Sequence, residues 1–154
     1  MTLQELSSLA GERCHLAILT EPYLSLLLAG QKSIESRWMK HKIAPYGQVQ
    51  AGDLIYVKKS SGPVMASFRV GWHQEGTLDV MLPLAVKHQA AICVNDAYLI
   101  QIESTGKRFG VLMEVLNLRR LPDFDVQKPG MSGWVVLPMG GASHLAAEQT
   151  SLLL

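Results

Sequence analysis

A chain of 154 residues, 48% of them hydrophobic and 18% charged, is long enough for one domain with a substantial core and too apolar to be intrinsically disordered. The formal net charge of +1 does not by itself indicate a nucleic-acid-binding protein. No apolar run reaches the ~18 residues of a membrane span, and the start of the chain lacks the basic and apolar regions of a signal peptide. We therefore expect a cytoplasmic protein without a membrane partner.

The N-terminal part of the chain predicts a strand followed by a short helix. Residues 1–13 are a polar lead-in, helical or loose, and residues 14–19 are short and apolar, which is typical of a buried strand. The run Thr20-Glu21-Pro22 predicts a helix start, with a capping hydroxyl, an acid and a proline in the first turn. Gly30 ends this helix.

The run AGQKSIESRW, residues 29–38, carries the clearest chemical signal. Side chains in its second half alternate between two faces, as in a strand, so Glu35 and Arg37 share one face. Lys32 lies just before the start of this strand. Ile34 and Trp38 point to the opposite face. Charges of opposite sign aimed at one spot form either a structural ion pair or the lining of a polar binding site. Two nearby cations should keep Glu35 ionised.

The rest of the chain predicts further strands around a helical middle. Strands are expected at 53–59 and 64–73, joined as a hairpin, and again at 109–121 and 134–137, while Pro83 limits the first of two short helices within 77–104. About six strands with few short helices predict an α+β fold, a small β-barrel with helices packed around it. A parallel α/β sheet is the alternative, which the hairpin and the low helix content disfavour.

The domain is expected to span residues 14–139, between the lead-in of 1–13 and a C-terminal tail of 140–154. Within it, the stretch from Lys32 to Lys59 holds six basic and two acidic residues, so it carries +4 and the rest of the chain −3. Such a local patch indicates either an anionic partner or an ordinary solvated surface.

These pieces resemble the ASCH (activating-signal-cointegrator homology) family, which is similar to PUA RNA-binding domains. The resemblance covers residues 14–138 and rests on LSLLLAGQK, SIESRW, APYGQVQAGDLIYVKKS, KRFGVLMEVLNLRRL and GWVVLP. Its signature is Gly-x-Lys-Ser/Thr-x-Glu-x-Arg from Gly30 to Arg37, followed by Gly52-Asp53. The resemblance implies a PUA-like barrel with a charged cleft beside the first helix, and a ligand that is single-stranded RNA or a modified nucleoside.

The resemblance also implies an enzymatic alternative in the same cleft. Some family members resemble N4-acetylcytidine amidohydrolases, and others are similar to metal-independent ribonucleases on single-stranded RNA. The amidohydrolase motif resembles Lys-x-x-Thr, whereas this chain has Glu35 at the threonine position. If the protein is a hydrolase or ribonuclease, Lys32 and Glu35 are the candidate catalytic residues. A small-molecule-binding or regulatory module without a nucleic-acid role is a third interpretation.

The candidate ligand-binding residues combine charge, an aromatic ring and a loop hydroxyl: Lys32, Glu35, Arg37, Tyr46, Lys58 and Ser132. Tyr46 lies in a Pro-Tyr-Gly loop beside the basic patch, where it can either stack an unpaired base or cover the end of the barrel. Only one of Lys58 and Lys59 can face the cleft, because successive strand residues point to opposite sides. The two cysteines and five histidines lack metal-ligand spacing, so neither a metal nor another cofactor is expected.

Overall fold

The computed structural model describes residues 1–139, which form helices and strands in the following order. The five helices are short: α1 (Leu3–Ala10), α2 (Tyr23–Leu28), α3 (Leu78–Lys87), α4 (Gln89–Ile92) and α5 (Asp96–Ser104). The six strands are β1 (Cys14–Leu19), β2 (Ile34–Met39), β3 (Leu54–Lys59), β4 (Val64–Thr77), β5 (Phe109–Phe124) and β6 (Trp134–Leu137).

All six strands join one mixed sheet in the order β2-β5-β4-β3-β1-β6. The neighbours β1 and β3 run parallel, and the other pairs are antiparallel. The sheet curls into a half-barrel, which confirms the predicted α+β class with six strands and short helices. The curling follows from bulges in the long β4–β5 pairing, because an extra residue on one strand bends it and increases its twist.

The interior of the curled sheet holds the main core, with Phe68, Ile55 and Met113 at most 1% exposed. Helix α1 begins with a capping box between Thr2 and Glu5 and buries Leu6 against the outer face of β1 and β3. The lead-in is therefore helical and is packed against the sheet.

Helices α3, α4 and α5 cover the face of β2 and β5 that carries Ile34, Trp38 and Leu112. Period-two alternation places Ile34 and Trp38 on this face, as predicted. Gly110 lies opposite Trp38 in the β2–β5 register, and the indole ring occupies the space that a Cβ on residue 110 would need. A glycine at this position therefore lets Trp38 lie flat on the sheet.

Three local predictions are wrong, the first because tertiary packing overrides a local signal. Pro83 lies inside α3 without ending it, since Met81 and Ala85 are fully buried and hold both turns against the sheet. The segment 77–104 forms three helices, not two. The hydroxyl of Thr20 does not cap α2. Instead, Glu21 Oε1 accepts from the backbone N–H of Ser25 at 2.8 Å.

The long strands also exceed their predicted ends. β4 continues to Thr77 and β5 to Phe124, because each serves as the hydrogen-bonding partner that keeps the other extended. The predicted tail of residues 140–154 lies outside the described residues. No helix within residues 1–139 combines the length and hydrophobicity needed to cross a membrane.

Candidate functional site

A cavity of about 360 Å³ opens between α2, α5 and the edge strand β2. Its volume falls within the range of roughly 300–1,000 Å³ that is usual for small-molecule sites. Its polar wall includes Lys32, Glu35 and Arg37 together with Ser36, Gln101 and Lys107. Three of the six predicted site residues are thus brought together in one concave site.

Lys32 is a buried cation whose ammonium group is fully engaged. The side chain is 2% exposed, and Nζ lies 3.1 Å from the carbonyl oxygen of Ile34 and 2.8 Å from that of Ile92. Its third contact is Glu35 Oε1 at 3.4 Å. Because an ammonium group has three protons to donate, these contacts use all of them.

Glu35 lies at the floor of the cavity, between two cations. Oε1 accepts from the backbone N–H of Ser36 at 2.8 Å, and Oε2 lies 3.3 Å from Arg37 Nη2. Burial by itself raises the pKa of Glu35. The charges of Lys32 and Arg37 and the Ser36 hydrogen bond outweigh burial, so this pKa lies below its ordinary value. The carboxylate is therefore ionised at neutral pH.

Arg37 is held in place by backbone carbonyls and by an aromatic ring. Nη2 donates to the carbonyl oxygen of Ile18 at 2.8 Å, and Nη1 donates to that of Gly133 at 3.2 Å. The guanidinium carbon lies 5.1 Å from the centre of the Trp134 ring, within cation–π range. Strands β1, β2 and β6 therefore position this one side chain together.

Trp134 is in turn fixed by His15, which is completely buried. The Trp134 indole N–H donates to His15 Nδ1 at 2.9 Å, and His15 Nε2 lies 2.8 Å from Asp53 Oδ2. Since an indole can only donate, Nδ1 must be the acceptor, so the proton of the neutral imidazole is on Nε2 and is donated to Asp53. Arg13 Nη1 also lies 2.8 Å from the same carboxylate oxygen.

The environment of His15 favours its neutral form. Burial lowers the pKa of His15, and the opposing attraction of Asp53 does not compensate, so this pKa lies below its ordinary value. Nothing in the sequence singles out His15 as a site residue, because a single histidine within an apolar strand gives no motif. Its partner Trp134 is 119 positions away along the chain.

Aromatic side chains from α2 and α5 form another wall of the cavity. The rings of Tyr23 and Tyr98 meet edge to face, with their centres 5.7 Å apart. Burial and the nearby charge of Glu35 raise the pKa of Tyr98, so its hydroxyl stays protonated and can donate. Neither tyrosine belongs to a recognisable motif, and α5 was predicted only approximately.

The structure does not bring Tyr46, Lys58 or Ser132 to the cavity lining. Tyr46 packs edge to face on Phe109 at 5.5 Å and covers the end of the main core. Lys58 donates to the carbonyl oxygen of Lys59 at 3.3 Å at the end of β3. Ser132 donates to the carbonyl oxygen of Trp134 at 2.6 Å, and so shapes the loop whose Gly133 carbonyl holds Arg37.

Groups that could ligate a metal ion are scattered over the described part of the chain. Within residues 1–139, no three His, Cys, Asp or Glu side chains are arranged to hold one. Burial raises the pKa of the Cys14 thiol to about 12, so Cys14 is a packed apolar side chain and not a reactive thiolate.

No protein-family model and no curated protein matches this sequence, but solved structures match the fold. The ASCH protein of Zymomonas mobilis superposes with a TM-score of 0.64 at 11% identity, covering 90% of this chain and 94% of that chain. This chain has the ASCH fold. The predicted resemblance is thereby confirmed for the architecture, because identity this low supports the fold alone.

Two variants of the same Zymomonas mobilis protein match the ASCH fold of this chain equally well. A serine-to-alanine mutant gives a TM-score of 0.64 at 9% identity, covering 90% of this chain and 94% of that chain. A tyrosine-to-phenylalanine mutant gives 0.63 at 11% identity, covering 90% and 96%.

Proposed function

We propose that this ASCH-fold protein binds single-stranded RNA or a modified nucleoside, with one base in the cavity between α2, β2 and α5. The observation that carries the proposal is an ionised carboxylate at the floor of a base-sized cavity with tyrosines in its wall. Proteins recognise unpaired bases by combining aromatic stacking with hydrogen bonds to the base edge.

Glu35 retains the capacity to accept one more hydrogen bond. Its two oxygens offer about four acceptor sites, of which Ser36, Lys32 and Arg37 occupy three. A carboxylate is a natural acceptor for the exocyclic amine of a base such as cytosine. The site should therefore prefer a base with an amino group over one with a carbonyl oxygen at the same position.

Arg37 supplies the complementary donors. Of its five N–H groups, three are used by Gly133, Ile18 and Glu35, which leaves two without a partner among the described residues. A planar guanidinium held by two carbonyls and a ring is oriented before a ligand arrives, which reduces the entropy lost on binding. These donors suit a base carbonyl or a phosphate.

The geometry gives less support to the enzymatic alternative. Lys32, the predicted stabiliser of a developing negative charge, is not free to meet one, because its ammonium already contacts two backbone carbonyls and Glu35. A lowered pKa also makes Glu35 a weak general base. Both features favour recognition over turnover.

Replacing Tyr98 with leucine is expected to weaken binding of cytidine or N4-acetylcytidine by roughly 5- to 150-fold, since stacking on an aromatic ring is worth about 1–3 kcal/mol per base. Tyr98→Phe keeps the ring and should change affinity little. Isothermal titration with cytidine, N4-acetylcytidine and uridine measures both the loss and the expected preference for an amino group.

Trp72→Leu provides the matched control, because Trp72 lines a separate cavity between β4 and α3. Its nucleoside affinity should equal that of the wild type. A base in this cavity would be contradicted if Tyr98→Leu and Trp72→Leu lost nucleoside affinity equally, or if the wild type bound none of the three nucleosides.

A further inference from the structure

The basic patch predicted from the sequence divides into two groups in the structure. Lys32 and Arg37 are paired with Glu35 inside the cavity. Lys40 and Lys42, by contrast, are exposed just after β2. There they meet two cations from a distant part of the chain, Lys107 and Arg108, which precede β5.

The antiparallel β2–β5 pairing brings these four side chains together. Met39 pairs with Phe109, and the backbone N–H of Arg108 donates to the Met39 carbonyl oxygen at 2.9 Å. Lys42 Nζ and the Arg108 guanidinium carbon lie 5.5 Å and 5.7 Å from the centre of the Phe109 ring. The stem of Lys40 passes beside Gly106, next to Lys107 in the chain.

None of the four cations forms an ion pair with a described residue. The ion pairs within residues 1–139 involve only Arg13, His15, Lys32, Arg37 and Arg69 as cationic partners. Glu35 and Glu103 are the acids closest to them along the chain, and neither forms an ion pair with any of the four. Their charge is therefore available to an external anion.

Lys107 connects this surface to the candidate site, because it also lines the cavity. We propose that Lys40, Lys42, Lys107 and Arg108 form a basic track for the phosphates of a single-stranded RNA whose base enters the cavity. This inference rests on the proposed function, and it requires a single-stranded RNA as the ligand, not a free nucleoside. A duplex fits poorly, since its bases are paired and stacked inside the helix and cannot enter the cavity.

The salt dependence of binding gives a quantitative test. Four phosphate contacts to a single strand predict a slope of about −2.8 for log K against log salt, so affinity for a 12-nucleotide RNA should fall about 50-fold between 50 and 200 mM salt. The combined variant Lys40→Gln, Lys42→Gln, Lys107→Gln and Arg108→Gln should bind at least 10-fold more weakly at 50 mM salt, with a nearly flat slope. The variant Lys40→Gln, Lys42→Gln and Arg108→Gln, which leaves Lys107 in the cavity wall, should keep the wild-type affinity for cytidine.

A charge-matched control replaces four exposed cations elsewhere on the surface: Lys59→Gln, Lys87→Gln, Arg119→Gln and Arg120→Gln. This control should retain both the affinity and the slope of the wild type. The basic track would be overturned if both variants lost RNA affinity equally, or if a 12-base-pair duplex bound as well as the single strand. It would also be overturned if the track bound phosphatidylserine vesicles but not RNA.

The same experiment separates the two proposals. Suppose that Tyr98→Leu loses cytidine binding, while the basic-track variant binds RNA as the wild type does and RNA binding does not depend on salt. This result would support the cavity and refute the track. Track-dependent RNA binding by a protein that binds no nucleoside would support the track and refute the cavity.

Discussion

Replacing Glu35 with alanine is expected to lower the free energy of unfolding by about 3–5 kcal/mol, the usual cost of removing one partner from a buried ion pair. The remaining ammonium of Lys32, 2% exposed, would keep its two carbonyl partners but lose its counter-charge. Arg37 would lose the same carboxylate, although Ile18 and Gly133 still hold it. Urea denaturation at neutral pH measures the change.

A double replacement tests whether this cost comes from the unpaired charge. In Lys32→Met with Glu35→Met, both buried charges are replaced by flexible apolar side chains, so most of the lost stability should return. A cost below about 1 kcal/mol for Glu35→Ala would show that the pair behaves as an exposed one.

Acid titration gives an independent measure of the same interaction. Because the pKa of Glu35 is lower in the folded protein than in the unfolded chain, its ionised form contributes stability above the ordinary carboxyl pKa. This contribution is lost as the pH falls through the lowered pKa. The wild type should therefore lose more stability than Glu35→Gln when the pH falls below about 4.

Replacing His15 with leucine is expected to destabilise the protein by about 1–3 kcal/mol, because the buried indole N–H of Trp134 loses its acceptor. The same change frees the ring on which Arg37 rests, so ligand affinity should also fall. Asparagine and glutamine separate the two hydrogen bonds of His15. His15→Asn places an oxygen at the position of Nδ1, whereas His15→Gln places an amide at the position of Nε2.

His15→Asn should therefore preserve ligand affinity better than His15→Gln does, and titration calorimetry measures the difference. A purely structural role would make the two variants bind alike.

The pH dependence of stability is the second readout. Because burial places the pKa of His15 below its ordinary 6.5, the unfolded chain takes up the proton first and wild-type stability falls as the pH falls from 7 to 5. His15→Asn should show a flatter profile.

Features that depend on local backbone geometry were predictable from the sequence. Strand alternation placed Glu35 and Arg37 on one face of β2 and Ile34 on the other, because successive strand residues point to opposite sides. The short apolar runs of β1 and β6 were predicted with their observed bounds. The six-stranded α+β class followed from the number of such runs.

Which distant groups complete the site depends on contacts that no local pattern encodes. Lys32 is buried because the Ile92 carbonyl, 60 positions away, accepts from it, and no local pattern encodes that contact. Tyr46 packs on Phe109 instead of entering the cavity, while Tyr98 enters it from α5. Sheet order and helix packing set these neighbours, and both depend on pairings between segments far apart in the chain. The same pairings join Lys40 and Lys42 to Lys107 and Arg108, whereas Lys32, equally basic in sequence, is neutralised by Glu35.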